Sequence, residues 1–231
     1  MNKETQRIQK YYEERKKLNS RSLYTYFNIN NLYMIHSRER KLLKLLSKNG
    51  LSDLSNKNIL DIGCGTGGML RNFVQYGAKP RNLYGIDLIG ERIKKAKEIS
   101  PNMHFIEKDA SKLPYSSNYF DIITQYTVFS SIISKEVKQA VAKEMLRVLK
   151  KDGIIIWYDM RVSNPFDKNV NSIGKKEIKD LFRGCECSFY RVTLNPIISR
   201  RLSKVSVLLS QVFESLKILN SHYLAVIRKK Y

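Results

Sequence analysis

Three glycines, Gly63, Gly65 and Gly68, stand behind a short apolar run at 58–62 that carries a carboxylate, Asp61, just before the first of them. Glycines at this spacing after a buried strand allow a tight turn and set a helix N-terminus against a ligand, as in G-x-G-x-x-G dinucleotide sites. The carboxylate argues against a pyrophosphate, which it repels, and for an ammonium or a sulfonium, which it attracts through a charge-assisted contact. A second carboxylate, Asp87, follows the turn by about 20 residues, the position from which an acid accepts hydrogen bonds from both hydroxyls of a ribose. A glycine-rich turn alone is often no more than a strand-to-helix connection, and Asp87 or Asp109 alone is often a cap or a solvated acid. Their occurrence in order along the chain is what points to a ligand site.

The string Asp61-Ile62-Gly63-Cys64-Gly65-Thr66-Gly67 resembles motif I (D/E-x-G-x-G-x-G) of the class I S-adenosylmethionine-dependent methyltransferases. The later landmarks follow the family's order: Asn82 to Leu88 as a strand ending in an acid, His104 to Ala110 as a strand ending in Asp109-Ala110, and Phe120 to Thr124 delivering Gln125 and Tyr126 to the same edge. A helix ending Arg147-Val148-Leu149-Lys150 before Gly153 resembles the family's post-motif block. The resemblance implies S-adenosylmethionine as cofactor, held by Asp61, Gly63, Cys64, Gly65, Gly67, Asp87, Leu88, Asp109, Ala110 and Gln125. It also implies an α/β fold, a Rossmann-like seven-stranded and mostly parallel sheet with strand 7 antiparallel and helices on both faces.

The elements that must position these residues are legible as alternating patterns. Short β-branched runs alternate with helical stretches from residue 59 to 159, as βαβ units of a parallel sheet require. The clearest helix spans 134–150, with Val137, Val141, Met145 and Val148 at helical spacing, and Lys151-Asp152-Gly153 stops it before a fifth strand at 154–159. A short helix is predicted over 175–182, and strands over 187–194 and 223–228. At 231 residues the chain suits a single methyltransferase domain, 1–231. An N-terminal arm, 1–50, predicts helices over 4–18 and 31–48, the second closed by Asn49-Gly50. It is rich in aromatics, including Tyr11, Tyr12, Tyr24, Tyr26, Phe27 and Tyr33. In similar methyltransferases such an arm is a lid, and docking of the arm on the core is the simpler alternative. A helical insertion, 196–221, separates strands 6 and 7, its apolar stripe running from Leu202 through Leu208, Val212 and Leu216 behind Arg200, Arg201 and Lys204. The stripe is expected to face the core, and a basic amphipathic helix also suits an anionic lipid surface.

Methyl transfer from a sulfonium gains much of its rate from alignment, so no catalytic side chain is required. For a hydroxyl acceptor a general base helps, and Asp159 or His36 are the candidates; His104 and His222 read as structural. Tyr126, Tyr158, Arg161 and Asn164 are positioned for substrate contact, and Arg161 suits a phosphate or carboxylate, or solvent alone. No His/Asp/Glu cluster argues for a metal, and Cys64, Cys185 and Cys187 suit neither a disulfide framework nor a zinc cluster. A reducing cytoplasm is the expected setting, with no secretion signal and no apolar run of about 18 residues. Lysine and arginine number 42 against 21 acids, a net charge of +21 that suits a phosphate-bearing substrate, anionic lipid at the inner membrane surface, or nucleic acid. Nucleic acid is disfavoured by Thr124-Gln125-Tyr126-Thr127, which lacks the Asp/Asn-Pro-Pro-Tyr/Phe of amino-methylating enzymes, and by the lack of an RNA-binding signature. Strings at 158–161 and 191–196 resemble small-molecule methyltransferases of glycan biosynthesis, which implies O-methylation of a sugar or glycan precursor. An RNA methyltransferase and an inactive cofactor-binding interaction protein are the other readings.

Overall fold

A computed structural model describes residues 3–17, 25–163, 167, 169–203 and 205–230. A seven-stranded sheet has the order β3-β2-β1-β4-β5-β7-β6. The strands are β1 (Ile59–Ile62), β2 (Leu83–Asp87), β3 (His104–Glu107), β4 (Phe120–Tyr126), β5 (Leu149–Met160), β6 (Cys185–Leu194) and β7 (Asn220–Lys229). Neighbours from β3 through β5 pair in parallel, and β7 pairs antiparallel with both β5 and β6. The fold expected from the sequence is the one observed.

The central strands carry apolar residues at consecutive positions because both faces of the sheet are covered. Side chains alternate between faces. Leu60, Ile62, Ile123, Ile155 and Trp157 enter one buried cluster with Val141 and Met145 of α5 (Lys135–Val148) and Ile178 of α6 (Lys175–Leu181). Ile59, Ile122, Ile154 and Ile156 enter the other, with Leu42, Leu45 and Leu46 of α2 (Ile29–Lys48), Leu70 and Phe73 of α3 (Gly68–Gln75), and Ile93 of α4 (Gly90–Ile99). The caps follow side-chain chemistry. Asn28 accepts from the backbone N–H groups of Asn30 and Asn31 to start α2, and Ser134 accepts from Val137 N–H to start α5.

Two elements differ from the sequence reading. The fifth strand begins at Leu149, directly after α5, because Phe120 pairs with Leu149 and Ile122 with Ile154, so that Lys150–Gly153 form a bulge. Gly153 is required there, since a Cβ would lie 2.8 Å from Leu149 Cδ1 and 3.0 Å from the Asp121 carbonyl oxygen. The insertion forms α7 (Pro196–Leu202) and α8 (Val207–Ser215), and α8 is turned with its apolar stripe outward. Its polar side is the docked side: Ser210 is fully buried, and Glu214 accepts hydrogen bonds from Tyr33 Oη, Ser37 Oγ and Thr193 N–H.

Candidate functional site

The order of the strands puts the carboxyl ends of β1 and β4 side by side with connections leaving in opposite directions, the switch point where α/β sheets bind ligands. A cavity of about 310 Å³ opens there, lined by Ile62 and Gly63 at the end of β1, Asp87, Leu88 and Ile89 at the end of β2, Asp109 and Ala110 after β3, and Tyr126 to Val128 at the end of β4. Further parts of its wall come from Arg92, Lys108, Ser131, Ile132, Val137 and Val141, and from Thr5, Ile8 and Tyr12 of α1 (Lys3–Lys17). These three recur on one helix face and reach the strand-end loops. Thr5 Oγ1 donates to Asp109 Oδ2 at 3.0 Å, Gln9 Nε2 to the Leu88 carbonyl at 3.0 Å, and Tyr12 Oη lies 3.0 Å from Ser131 Oγ. Arg7 reaches the Ser131 carbonyl, Glu4 accepts from Ile133 N–H, and the Arg92 guanidinium stands 4.4 Å from the Tyr12 ring centroid. One helix thus covers the ends of three strands.

The glycine turn is shaped by backbone conformation. Gly63 has φ +67°, and a Cβ on it would lie 2.4 Å from Val128 Cγ2; Gly67 has φ +80° and would meet the Phe105 ring at 2.8 Å. Gly65, at φ +55°, has open space where its Cβ would be, and its N–H donates to Asp87 Oδ2 at 2.8 Å. The other carboxylate oxygen of Asp87 accepts from Ile89 N–H at 2.9 Å. Asp87 is therefore aimed by two backbone donors while lining the cavity.

Asp61 lies deeper, 3 % exposed, and does not line this cavity. Its Oδ1 accepts from Thr124 Oγ1 at 2.6 Å. Burial pushes its carboxyl up to about 7, opposed by the Thr124 hydrogen bond, with Asp87 adding to the rise and Arg38 opposing it. Arg38, on α2, stands 5.1 Å from the ring centroids of both Tyr126 and Tyr158, and among the described residues it has no carboxylate within salt-bridge distance. Tyr158 gives its hydroxyl to an interaction with Thr193 Oγ1 at 2.9 Å and stacks on His222, ring centroids 4.7 Å apart. Burial holds the His222 imidazole neutral, its pKa down at about 3. Tyr126 Oη is buried without a hydrogen-bond partner.

Residues 59–153 match the family model described as a methyltransferase domain. The chain is 35 % identical over 150 residues to the ubiquinone/menaquinone biosynthesis C-methyltransferase of Campylobacter jejuni, covering 63 % of this chain and 57 % of the relative. It is 32 % identical over 120 residues to the sterol 4-C-methyltransferase of Caenorhabditis elegans, covering 49 % and 34 %. The chain therefore matches little more than half the length of these relatives at most. A solved structure described as a putative sarcosine dimethylglycine methyltransferase from Galdieria sulphuraria superposes with a TM-score of 0.62 at 16 % identity, covering 83 % of this chain and 85 % of that one, a likeness of fold. Residues 59–153 therefore resemble a methyltransferase domain, in keeping with the resemblance of the glycine turn to motif I.

The residues present fit the family's cofactor. A class I methyltransferase binds a nucleoside bearing a sulfonium and an amino acid, and this cavity offers the Asp87 carboxylate for ribose hydroxyls and apolar walls from Leu88, Ile89 and Ala110. The buried Asp61 carboxyl, raised towards neutrality, is a group whose charge a neighbouring cation restores. The orphaned Tyr126 hydroxyl is a further polar atom awaiting a ligand.

Of the residues expected to hold the cofactor, Gly63, Asp87, Leu88, Asp109 and Ala110 meet at the cavity, with Gly65 and Gly67 shaping the turn beside it. Cys64 is buried beneath the turn, its Sγ packed where a Cβ on Gly85 would be. Gln125 serves the backbone instead, since its Nε2 donates to the Tyr158 carbonyl and its Oε1 accepts from Val128 N–H, so both ends brace the β4 turn. Neither base candidate lines the cavity. Asp159 is 1 % exposed and accepts from Ser130 N–H and Met160 N–H, burial raising its pKa to about 6 against those bonds. His36 is exposed on the outer side of α2. Tyr126 lines the cavity and Tyr158 packs against it, 5.5 Å between ring centroids. Arg161 is tied to β7, its N–H donating to the Ser221 carbonyl and its guanidinium Nη1 to the Asn220 carbonyl, and it does not line the cavity. Asn164 lies outside the described residues. Among the described residues no cluster of His, Cys, Asp or Glu could hold a metal.

Thr5, Ile8 and Arg38 were not legible as site residues. Thr5, Ile8 and Tyr12 have an i, i+3, i+7 spacing that marks one helix face. Arg38 precedes Leu42 and Leu45 at i+4 and i+7, so it is a charge on a buried stripe, a pattern that flags a functional or partnered cation.

Proposed function

We propose that the protein transfers the methyl group of S-adenosylmethionine to a small-molecule acceptor. The observation that carries this reading is the cavity at the ends of β1, β2 and β4, with Asp87 on its wall, Asp61 beneath it and α1 across it. The cofactor, when bound, supplies a methyl group on a positively charged sulfur, which is activated for displacement. The chain supplies position. Asp87 and the glycine turn orient the nucleoside, α1 excludes water from the cavity, and Tyr126, backed by Tyr158 and Arg38, forms the aromatic wall against which an acceptor would be aligned. The neutral His222 behind Tyr158 fixes that ring by stacking.

Two finer readings concern the acceptor. O-methylation of a sugar or glycan precursor is supported by the glycan-enzyme resemblance at 158–161 and 191–196 and by the net charge of +21. It needs a base for the hydroxyl proton, and Asp159, raised by burial to about 6, would serve only after its carboxylate left Ser130 and Met160 to reach the cavity. Methylation of a carbon on an apolar ring acceptor is supported by one observation, that the C. jejuni and C. elegans relatives are named as C-methyltransferases. It too releases a proton, so the position of the base candidates does not separate the two readings. Incubation with cofactor labelled in its methyl group and host extract separated into lipid, glycan and RNA fractions tests both. Label in an apolar small molecule supports the second, label in a glycan precursor the first, and label mapped to RNA alone overturns the small-molecule reading. Tight cofactor binding with no labelled product would identify an inactive binding protein.

A further inference from the structure

The helix α8 is amphipathic and mounted inside out. Its stripe of Leu208, Val212 and Leu216, at i, i+4, i+8, is exposed at 67 %, 51 % and 57 %, and Val205 and Leu209 extend it. The same surface is continued by Ile218 after the helix. The side facing the protein is held by polar atoms: Glu214 accepts from Tyr33, Ser37 and Thr193, and on the preceding helix Ser199 Oγ donates to Asn30 Oδ1. Where α7 and α8 meet the start of α2, Phe27 is 99 % and Ile29 51 % exposed. A helix whose burial is secured by its one acid, leaving its leucines and valines in water, costs free energy unless something apolar covers them.

Charge identifies the cover. From Cys187 to Tyr231 the chain has eight lysines and arginines and a single acid, Glu214, which is already engaged. Arg200 and Arg201 are exposed on α7 at i+3 and i+4 from the exposed Ile197. Lys217 sits between Leu216 and Ile218, and the Lys41 ammonium is held below its ordinary pKa by burial and by repulsion from Lys44, Lys217 and Lys48, which places these cations in one neighbourhood. A second copy of the chain would bring the same cations against themselves. An anionic surface with an apolar interior meets both features at once. We propose that α7, α8 and the start of α2 dock the protein on an anionic lipid bilayer, with Leu208, Val212, Leu216 and Ile218 entering the acyl boundary and Arg200, Arg201 and Lys217 against the headgroups. Among the described residues no helix is long and apolar enough to cross a membrane, so the contact is peripheral.

Sedimentation of the full chain with vesicles tests this without any need for methyl transfer, so its failure leaves the catalytic reading standing. Expected are binding to vesicles rich in phosphatidylglycerol, little binding to phosphatidylcholine alone, and weakening by salt. Arg200→Gln/Arg201→Gln lowers vesicle affinity roughly 25-fold, from about fivefold per neutralised charge. Leu208→Ser/Val212→Ser/Leu216→Ser abolishes binding while cofactor affinity and melting temperature hold; if it melts early, the single Val212→Glu reads the same face. No binding to anionic vesicles overturns the proposal, and so does equal binding by the serine variant, which would reduce the effect to net charge. A dimer that the serine variant dissolves, without vesicle binding, assigns the face to a second copy and overturns it as well.

Discussion

Asp61 offers the sharpest test of the cofactor site, because its burial makes a cation's arrival measurable as a proton event. In the free protein its carboxyl titrates at about 7. A cation seated against the carboxylate returns it towards the ordinary value of about 4, and each unit is worth about 1.4 kcal/mol. Ligand binding therefore favours the ionised form and releases a proton as the pH passes through 7. The sign follows directly: affinity is fully present above pH 7 and falls as the pH drops, about tenfold at pH 6 and about a hundredfold at pH 5. The ligand's own amine, with a pKa of about 8, stays protonated across that window. In Asp61→Asn the slope disappears, and affinity at pH 7.5 falls by about 3–4 kcal/mol, two to three units at about 1.4 kcal/mol each. Stability of the ligand-free chain moves the other way. The unfolded carboxyl ionises near 4 and the folded one near 7, so the native protein loses stability as pH rises through that interval, and Asp61→Asn melts higher at pH 8. Isothermal titration of S-adenosylmethionine from pH 5 to 7.5, in buffers of different ionisation enthalpy, reads affinity and proton release together. A native affinity that is flat with pH, or an asparagine variant that keeps the slope, would refute the ionic role of Asp61.

Asp87→Asn weakens S-adenosylhomocysteine binding by about tenfold or more through loss of charge-assisted bonds to the ribose, and calorimetry with the 2′-deoxy ligand shows a smaller loss if that pairing is correct. Gly63→Ala destabilises by about 2–4 kcal/mol, from the strained φ and the collision with Val128, and a thermal melt registers it as about 5–15 °C. Tyr126→Phe removes a buried hydroxyl without a partner, so the ligand-free protein is stabilised by about 1–3 kcal/mol; denaturant unfolding measures this, and a destabilised variant would mean the hydroxyl is already satisfied. Ile8→Ala loosens the α1 cover and raises the cofactor dissociation rate in stopped flow, whereas an unchanged rate would make α1 a bystander.

Local regularities were readable where residue type constrains backbone directly. The glycines of 63–67, the acid at the end of β2 and the apolar runs of the parallel strands each follow from sterics or two-sided burial, and each stands where the sequence placed it. Lys150 to Gly153 show the limit. Those residues have turn chemistry, yet pairing of Leu149 with Phe120 draws them into a bulge within one long strand, a decision made by the neighbouring strand. Gln125 and Asp159 show it again, since a polar side chain at a strand end serves a cavity or braces a loop according to which partner lies closer.

By itself the sequence determined the strand-helix alternation, the glycine turn and the acids around it, because those depend on φ, side-chain size and periodicity within a few residues. Tertiary structure alone decided which surfaces meet. It brought Thr5, Ile8 and Tyr12 of the first helix onto strand ends far along the chain, set Arg38 over two tyrosines, and turned α8 with its leucines outward. An amphipathic stripe specifies that one face must be covered but not by what, and the half-buried contacts of Glu214 with Tyr33, Ser37 and Thr193 are what fixed the answer.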